Sequence, residues 1–264
     1  MTLIRGLTTA CALISMILLT GCGARHIREA QDSFNAGAAA ENQLSVKGAE
    51  AYTSALGAST YGSAVANYKV ALSLLDKELT ENRAELDKDK LTGTAWTLKC
   101  LALWRVADLE ASVPPTNAAS DSAIKCARDG LADTRLTLGT RDRVLLKALP
   151  AFVEADRGRV QTNYTAAKDY FVSAQEGLND AIAIVPGDHG IMLYLRLVHL
   201  RMLRSWRGAI QTLNGPAADL AQNEAAFDAQ YCALKPRIDA DKNVKALVLE
   251  EFRSAVLNAP KSCP

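Results

Sequence analysis

Long stretches of this chain place apolar residues at the helical period with almost no proline between them. That combination restricts the fold more than any other feature. "VANYKVALSLL" (65–75), "TLKCLALWRVADL" (97–109), "IMLYLRLVHLRML" (191–203) and "KALVLEEFRSAVL" (245–257) all repeat the pattern, which is that of amphipathic or buried helices. Proline would remove a backbone hydrogen bond and clash with the preceding turn. It falls instead mostly in breakers: "SVPPTNAAS", "IVPGDHG", "LNGPAAD" and "LKPRIDADK". β-Branched runs are few and alanine is abundant. The chain is therefore expected to be all-α, with helices near 25–42, 44–57, 61–80, 92–111, 119–134, 141–158, 163–184, 189–212, 217–234 and 241–258. The mixed-charge stretch "DKELTENRAELDKDK" (76–90) reads as a solvated helix end and loop.

Two of these helices share a grammar, aromatic-x2-Ala-x3-aromatic-x2-Ala. One copy is Tyr61, Ala64, Tyr68 and Ala71, and the other is Tyr164, Ala167, Phe171 and Ala174. Alanines at these positions let two helices approach, and the aromatics fill the groove beside them. Ala123, Ala127 and Gly130 make a copy without aromatics, and Trp206, Ala209 and Leu213 a fourth. The grammar resembles the second helix of a tetratricopeptide repeat. That resemblance implies antiparallel helical hairpins stacked as an array or solenoid. Two departures stand against a regular array. The Leu-Gly pair of the family's first helix is missing from "AWTLKCLALWRVAD", and 103 residues separate Tyr61 from Tyr164, where the family repeats about every 34. Any antiparallel helix pair could also carry alanine and tyrosine at these spacings.

At the start of the chain, Arg5 precedes "LTTACALISMILL", and polar residues follow Cys22 at once. A bilayer-spanning helix needs about 20 apolar residues, so the shape is that of a secretory signal. Leu19, Thr20, Gly21 and Cys22 resemble the lipobox of bacterial lipoproteins. The resemblance implies cleavage after Gly21 and diacylglycerol on the Cys22 thiol. Gly23 stands where aspartate would signal inner-membrane retention in enterobacterial lipoproteins, which favours the periplasmic face of the outer membrane. The expected organisation is a signal peptide at 1–21 and one helical-repeat domain at 22–264, with a weak division near 186–190.

Removing Arg5 from the 30 basic residues leaves 29 against 29 acidic ones. This balance argues against nucleic-acid binding, which calls for a basic excess. Beyond Cys22 remain Cys100, Cys126, Cys232 and Cys263, in a compartment that oxidises thiols. Cys100 and Cys126 flank the "SVPPTNAAS" turn at similar distances, so a hairpin would pair them. Cys232 with Cys263 would tether the C-terminal tail to the penultimate helix.

Chemistry is sparse. The chain has no His-Glu-x-x-His, Cys-x-x-Cys, Gly-x-Ser-x-Gly or phosphate-cradling glycine loop. His26, His189 and His199 are isolated and read as structural, and no enzyme, metal site or cofactor is expected. What stands out is "RLVHLRMLRSWRG" (196–208), with no acid between Asp188 and Asp219. On a helix Arg196, Arg204 and Arg207 fall within an arc of about 80°, with Ile191, Tyr194, Leu195, Val198 and Met202 opposite. Either Asp169, Glu176 and Asp180 of the preceding helix neutralise this stripe, or it recognises an anionic partner, with Trp206 as aromatic anchor. If the stripe is only solvated, the helices near Tyr61 or Tyr164 are the next candidates. The expected function is a lipid-anchored periplasmic adaptor or scaffold that binds another envelope protein. The alternative, by likeness in layout to lipoproteins accompanying tripartite periplasmic transporters, is a solute-binding accessory protein with a small-molecule ligand. Polar groups pointing inward from the helix at 191–213 would favour it.

Overall fold

A computed structural model describes residues 22–47, 55–110, 117–187, 189–242, 244–245 and 263. Among them the chain forms nine α-helices and no strand: α1 (Cys22–Lys47), α2 (Ala55–Glu81), α3 (Arg83–Lys88), α4 (Thr92–Glu110), α5 (Asn117–Ala132), α6 (Thr140–Arg159), α7 (Tyr164–Ala183), α8 (Ile191–Thr212) and α9 (Ala217–Ala240). They group into two compact units, Met1–Leu149 and Pro150–Pro264. The segment 186–190, where a weak division was expected, forms most of the α7 to α8 connection. The expected signal peptide at 1–21 and most of the helix expected at 241–258 lie outside the described residues.

In the first unit, successive helices pack side by side: α1 on α2, α2 on α4, and α4 on α5. The buried stripe of α2 is Ala64, Tyr68, Ala71, Leu75 and Glu78, a 4-3-4-3 spacing that keeps one face on the core. Between α2 and α5, helix α4 is buried on most sides, which explains why its sequence lacks a continuous polar face. Cys100 and Cys126 link α4 to α5 in a disulfide with a Cα–Cα distance of 5.5 Å. The charged stretch 76–90 is exposed over most of its length, as its composition suggests. It folds into the end of α2 and all of α3, and Leu86 is wholly buried.

The second unit follows the same plan, with α7 on α8 and α8 on α9. The α7 stripe of Ala167, Phe171, Ala174, Leu178 and Ala181 is buried at the same 4-3-4-3 spacing as that of α2. Asn163 caps α7, its side chain accepting from the Ala166 N–H at 3.2 Å. Asn214 turns the chain from α8 to α9 in the left-handed region, φ 54°, a conformation asparagine tolerates better than most residues.

Three element ends differ from expectation. The break expected at 58–60 is absent, because Ala, Ser and Thr are weak breakers and α2 runs through them. The first expected break, at 43, is likewise spanned, by α1. Helix α9 continues past Pro236 to Ala240, and Ile238 beyond the proline is buried. Burial of that side chain offsets the one lost backbone bond.

Glycines opposite aromatic rings join the helix pairs. A Cβ on Gly37 of α1 would lie 3.0 Å from the Tyr68 ring of α2, and one on Gly158 of α6 would lie 3.1 Å from the Phe171 ring of α7. A Cβ on Gly130 of α5 would lie 2.5 Å from Trp96 Nε1 of α4, whose N–H donates to the Cys126 carbonyl at 3.0 Å. Each ring therefore sits against bare backbone, closer than any other residue would permit.

Candidate functional site

Helix α8 begins at Ile191, whose N–H donates to His189 Nδ1 at 3.2 Å. Its arginines do not line an open face. Arg196 Nη1 donates to Gln230 Oε1 on α9 at 2.8 Å, Arg207 pairs with Glu224 on α9 at 3.0 Å, and Arg204 is half-buried. Asn223 of α9 donates to the Leu203 carbonyl at 2.9 Å, and it meets α8 between these contacts. The basic arc is thus turned toward α9, the following helix. Asp169, Glu176 and Asp180 are exposed on α7 and make no ion pair among the described residues. The neutralisation expected from the preceding helix does not occur.

Of the residues expected opposite the arc, Ile191, Leu195 and Met202 are buried, and Tyr194 and Val198 are half-buried. Trp206, expected as an anchor for a partner, is wholly buried and stacks on Phe171, with ring centroids 6.2 Å apart. A 3.6-residue period reports sidedness for one neighbour, whereas α8 has a helix on either side. A large aromatic at the seam with α7 is core, so Trp206 is corrected from surface to interior.

Two charged groups on α8 lie in unusual surroundings. Arg196 hydrogen-bonds only the neutral amide of Gln230, and no carboxylate pairs with it among the described residues. Its partial burial lowers its pKa. One turn on, His199 is wholly buried, and neither ring nitrogen has a hydrogen-bond partner among the described residues. Burial first, and the Arg196 charge second, lower its pKa to about 4, so the ring is neutral at pH 7.

The start of α7 is closed by α9. Tyr164 Oη donates to Asp219 Oδ2 at 2.7 Å, and Lys168 Nζ donates to Oδ1 at 2.9 Å. Burial, and then the Asp219 hydrogen bond, push the Tyr164 pKa up to about 12. Tyr61, which starts the other aromatic motif, is half-buried.

The first unit holds a charge cluster that sequence spacing did not reveal. Arg105 of α4 hydrogen-bonds both carboxylate oxygens of Glu41 on α1 and reaches Asp108 at 3.1 Å. Its guanidinium lies 4.5 Å from the centre of the Trp104 ring. Tyr68 Oη donates to Glu41 at 2.8 Å, so three helices meet on one carboxylate. A single arginine inside the apolar run "LALWRVADL" was the available signal.

Cys22 is the first residue of α1. Cys232 and Cys263 are joined in a disulfide, with a Cα–Cα distance of 5.3 Å. Among the described residues no cluster of His, Cys, Asp or Glu could hold a metal ion, and no helix is long and apolar enough to cross a membrane. No family model, curated protein or solved structure matches the chain.

Proposed function

We propose that this chain is a lipid-anchored helical-repeat adaptor of the bacterial periplasm, held at the outer membrane through Cys22, that binds an anionic segment of another envelope protein along α8. The carrying observation is Arg196. Its guanidinium is half-removed from water and, among the described residues, satisfied only by a neutral amide. Such a group gains more from a carboxylate than a solvated arginine does. Arg207 and Glu224 form a partly exposed pair, with side chains 36% and 47% accessible. Pairs of that kind contribute little, so a partner carboxylate could replace Glu224. The glycine and aromatic contacts under the repeated motif support the tetratricopeptide-like reading, because small residues opposite bulky ones are what lets hairpins of that kind stack closely. The proposed activity is binding, without catalysis or a cofactor.

The test is co-purification of the lipidated chain from detergent-solubilised membranes, with mass spectrometry of captured proteins. Wild type should retain an envelope protein that Arg196→Gln loses, with the loss largest at low salt, where screening is least. Equal capture by both, at every salt concentration, would remove α8 as the binding face.

His199 favours the second reading, a solute-binding accessory protein. A buried imidazole with both nitrogens unpartnered is a polar group inside an apolar helix pair, and such groups normally have partners. Native mass spectrometry of the purified chain that found a bound small molecule, lost in His199→Leu, would select that reading over the adaptor.

A further inference from the structure

The first residue of α1 is Cys22, and Ile27, five residues on, is already buried. Five residues of helix rise about 7.5 Å, so the attachment point proposed at Cys22 is set directly against the first unit. Tyr68 shows which end of the unit that is. Its ring lies 5.1 Å from that of Phe34. Phe34 stands thirteen residues before the end of α1, and Tyr68 thirteen after the start of α2. Equal distances from the connection make the hairpin antiparallel, and Cys22 falls level with Thr80, one residue before α2 ends at Glu81.

Three more segments meet at that end. Helix α3 follows Glu81 after a single residue, Asn82, and packs on α1, α2 and α4. Lys99 of α4 pairs with Asp76 of α2 at 2.6 Å, which puts the start of α4, seven residues earlier at Thr92, beside α3. The turn after α5 joins them. Arg83 reaches Asp133 at 3.8 Å, and a Cβ on Gly93 would lie 2.5 Å from the Thr137 carbonyl oxygen. Leu86, Leu91 and Leu136 are buried beneath. At Lys90 the chain adopts φ 58°, and the Lys90 and Leu91 N–H groups donate back to the Asp87 and Leu86 carbonyls at 3.1 and 2.8 Å. This Schellman closure holds the turn after α3 in one shape. Residues 83–90 and 133–135 carry four basic and four acidic side chains. Within that balance Lys88, Lys90, Glu85 and Asp89 are exposed and make no ion pair among the described residues.

We propose, resting on the reading of Cys22 as the lipid anchor, that this end of the first unit, α3 with the 133–137 turn, is a docking surface for the membrane and that its occupant is a zwitterionic phospholipid. The headgroup layer on each side of a bilayer is roughly 5 to 7 Å deep. With acyl chains held at Cys22, a segment level with that residue lies within or against this layer. Each zwitterionic lipid offers a phosphate to Lys88 or Lys90 and an ammonium to Glu85 or Asp89, and both contacts are charge-assisted. Electrical balance separates this surface from a polybasic one, on which each lysine or arginine adds attraction to anionic lipid.

The full-length lipidated chain tests it in vesicles of phosphatidylethanolamine and phosphatidylcholine. A fluorophore is coupled to an azidophenylalanine placed at Ala84 of α3 or, separately, at Ala66 of α2, both exposed and uncharged. Ala66 lies fifteen residues before the end of α2, about 22 Å away. A nitroxide on the lipid headgroups should quench position 84 and leave position 66 bright, and adding phosphatidylglycerol should not deepen the quenching. Intact mass and peptide mapping establish separately whether Cys22 is acylated. Any other pattern at the two positions in an acylated chain, equal quenching included, would overturn the docking surface and leave the anchor standing. Quenching of position 84 only when phosphatidylglycerol is present would overturn the zwitterionic fit. A chain without acyl groups on Cys22 would remove the anchor and the docking surface together.

Discussion

At the residue scale, His199 determines how stability responds to acid. Its folded pKa of about 4 lies below the ordinary 6.5, so between those values the unfolded chain holds a proton that the folded chain does not. The His199 contribution is therefore unchanged above about pH 6.5 and falls with pH down to about 4. Its full size is on the order of 3 kcal/mol. Denaturant titrations of wild type and His199→Leu from pH 8 to pH 4 should diverge over this window, with the variant losing less. At pH 7 His199→Leu should be more stable by about 1 kcal/mol, because it removes two unpartnered polar atoms from the interior. Lower stability at pH 7 would mean that the imidazole has a bound partner. The glycines divide in the same way. A Cβ added at Gly62 would meet nothing within 4 Å, so Gly62→Ala should stabilise by about 0.5 to 1 kcal/mol. Gly130→Ala would drive a methyl into Trp96 and disturb its bond to Cys126, and should cost on the order of 1 to 3 kcal/mol in the same titration. Sequence spacing places Gly130 in a repeat motif, but the identity of the ring against it depends on the α4 to α5 register, which local spacing does not contain.

At the element scale, the two 4-3-4-3 stripes of α2 and α7 were legible because each helix buries one continuous face. The faces of α8 are not legible in its spacing for the opposite reason: neighbours on two sides bury most of its circumference, and its arginines reach α9 through long, adaptable side chains. Replacing Gln230 by Glu should supply the missing carboxylate to Arg196. If Arg196 lacks an anion in the free protein, Gln230→Glu should raise the melting temperature while weakening capture of an anionic partner. No change in either would mean that Arg196 is already neutralised. The α4 to α5 junction has a covalent tie as well. Cys100 and Cys126 lie 26 residues apart, and a loop of that length restricts the unfolded chain by about 3 to 4 kcal/mol. The Cys100→Ala and Cys126→Ala double variant should lose about that much in equilibrium unfolding. A loss under about 1 kcal/mol would show that packing alone holds the hairpin.

For the molecule as a whole, the lipid proposed at Cys22 would determine where the protein works. Cys22→Ser should leave the chain unmodified and release it from membranes once any signal is removed by another route. Metabolic labelling with a fatty acid and membrane fractionation measure both effects, and a labelled, membrane-bound variant would refute anchoring at Cys22. The sequence alone determined the all-helical class, the periodic core faces of α2 and α7, and the cysteine pairing on either side of the α4 to α5 turn. These follow from interactions that are local or that cross a single turn, and spacing encodes them directly. Only the tertiary structure decided that Trp206 is core, that Arg196 rests on a neutral amide, that Glu41 gathers Arg105 and Tyr68, and that glycines receive the aromatic rings. Those contacts join residues from different helices, and they depend on the relative rotation and sliding of packed surfaces. A one-dimensional pattern fixes the face a helix presents but leaves its register against a neighbour to the packing of the side chains themselves.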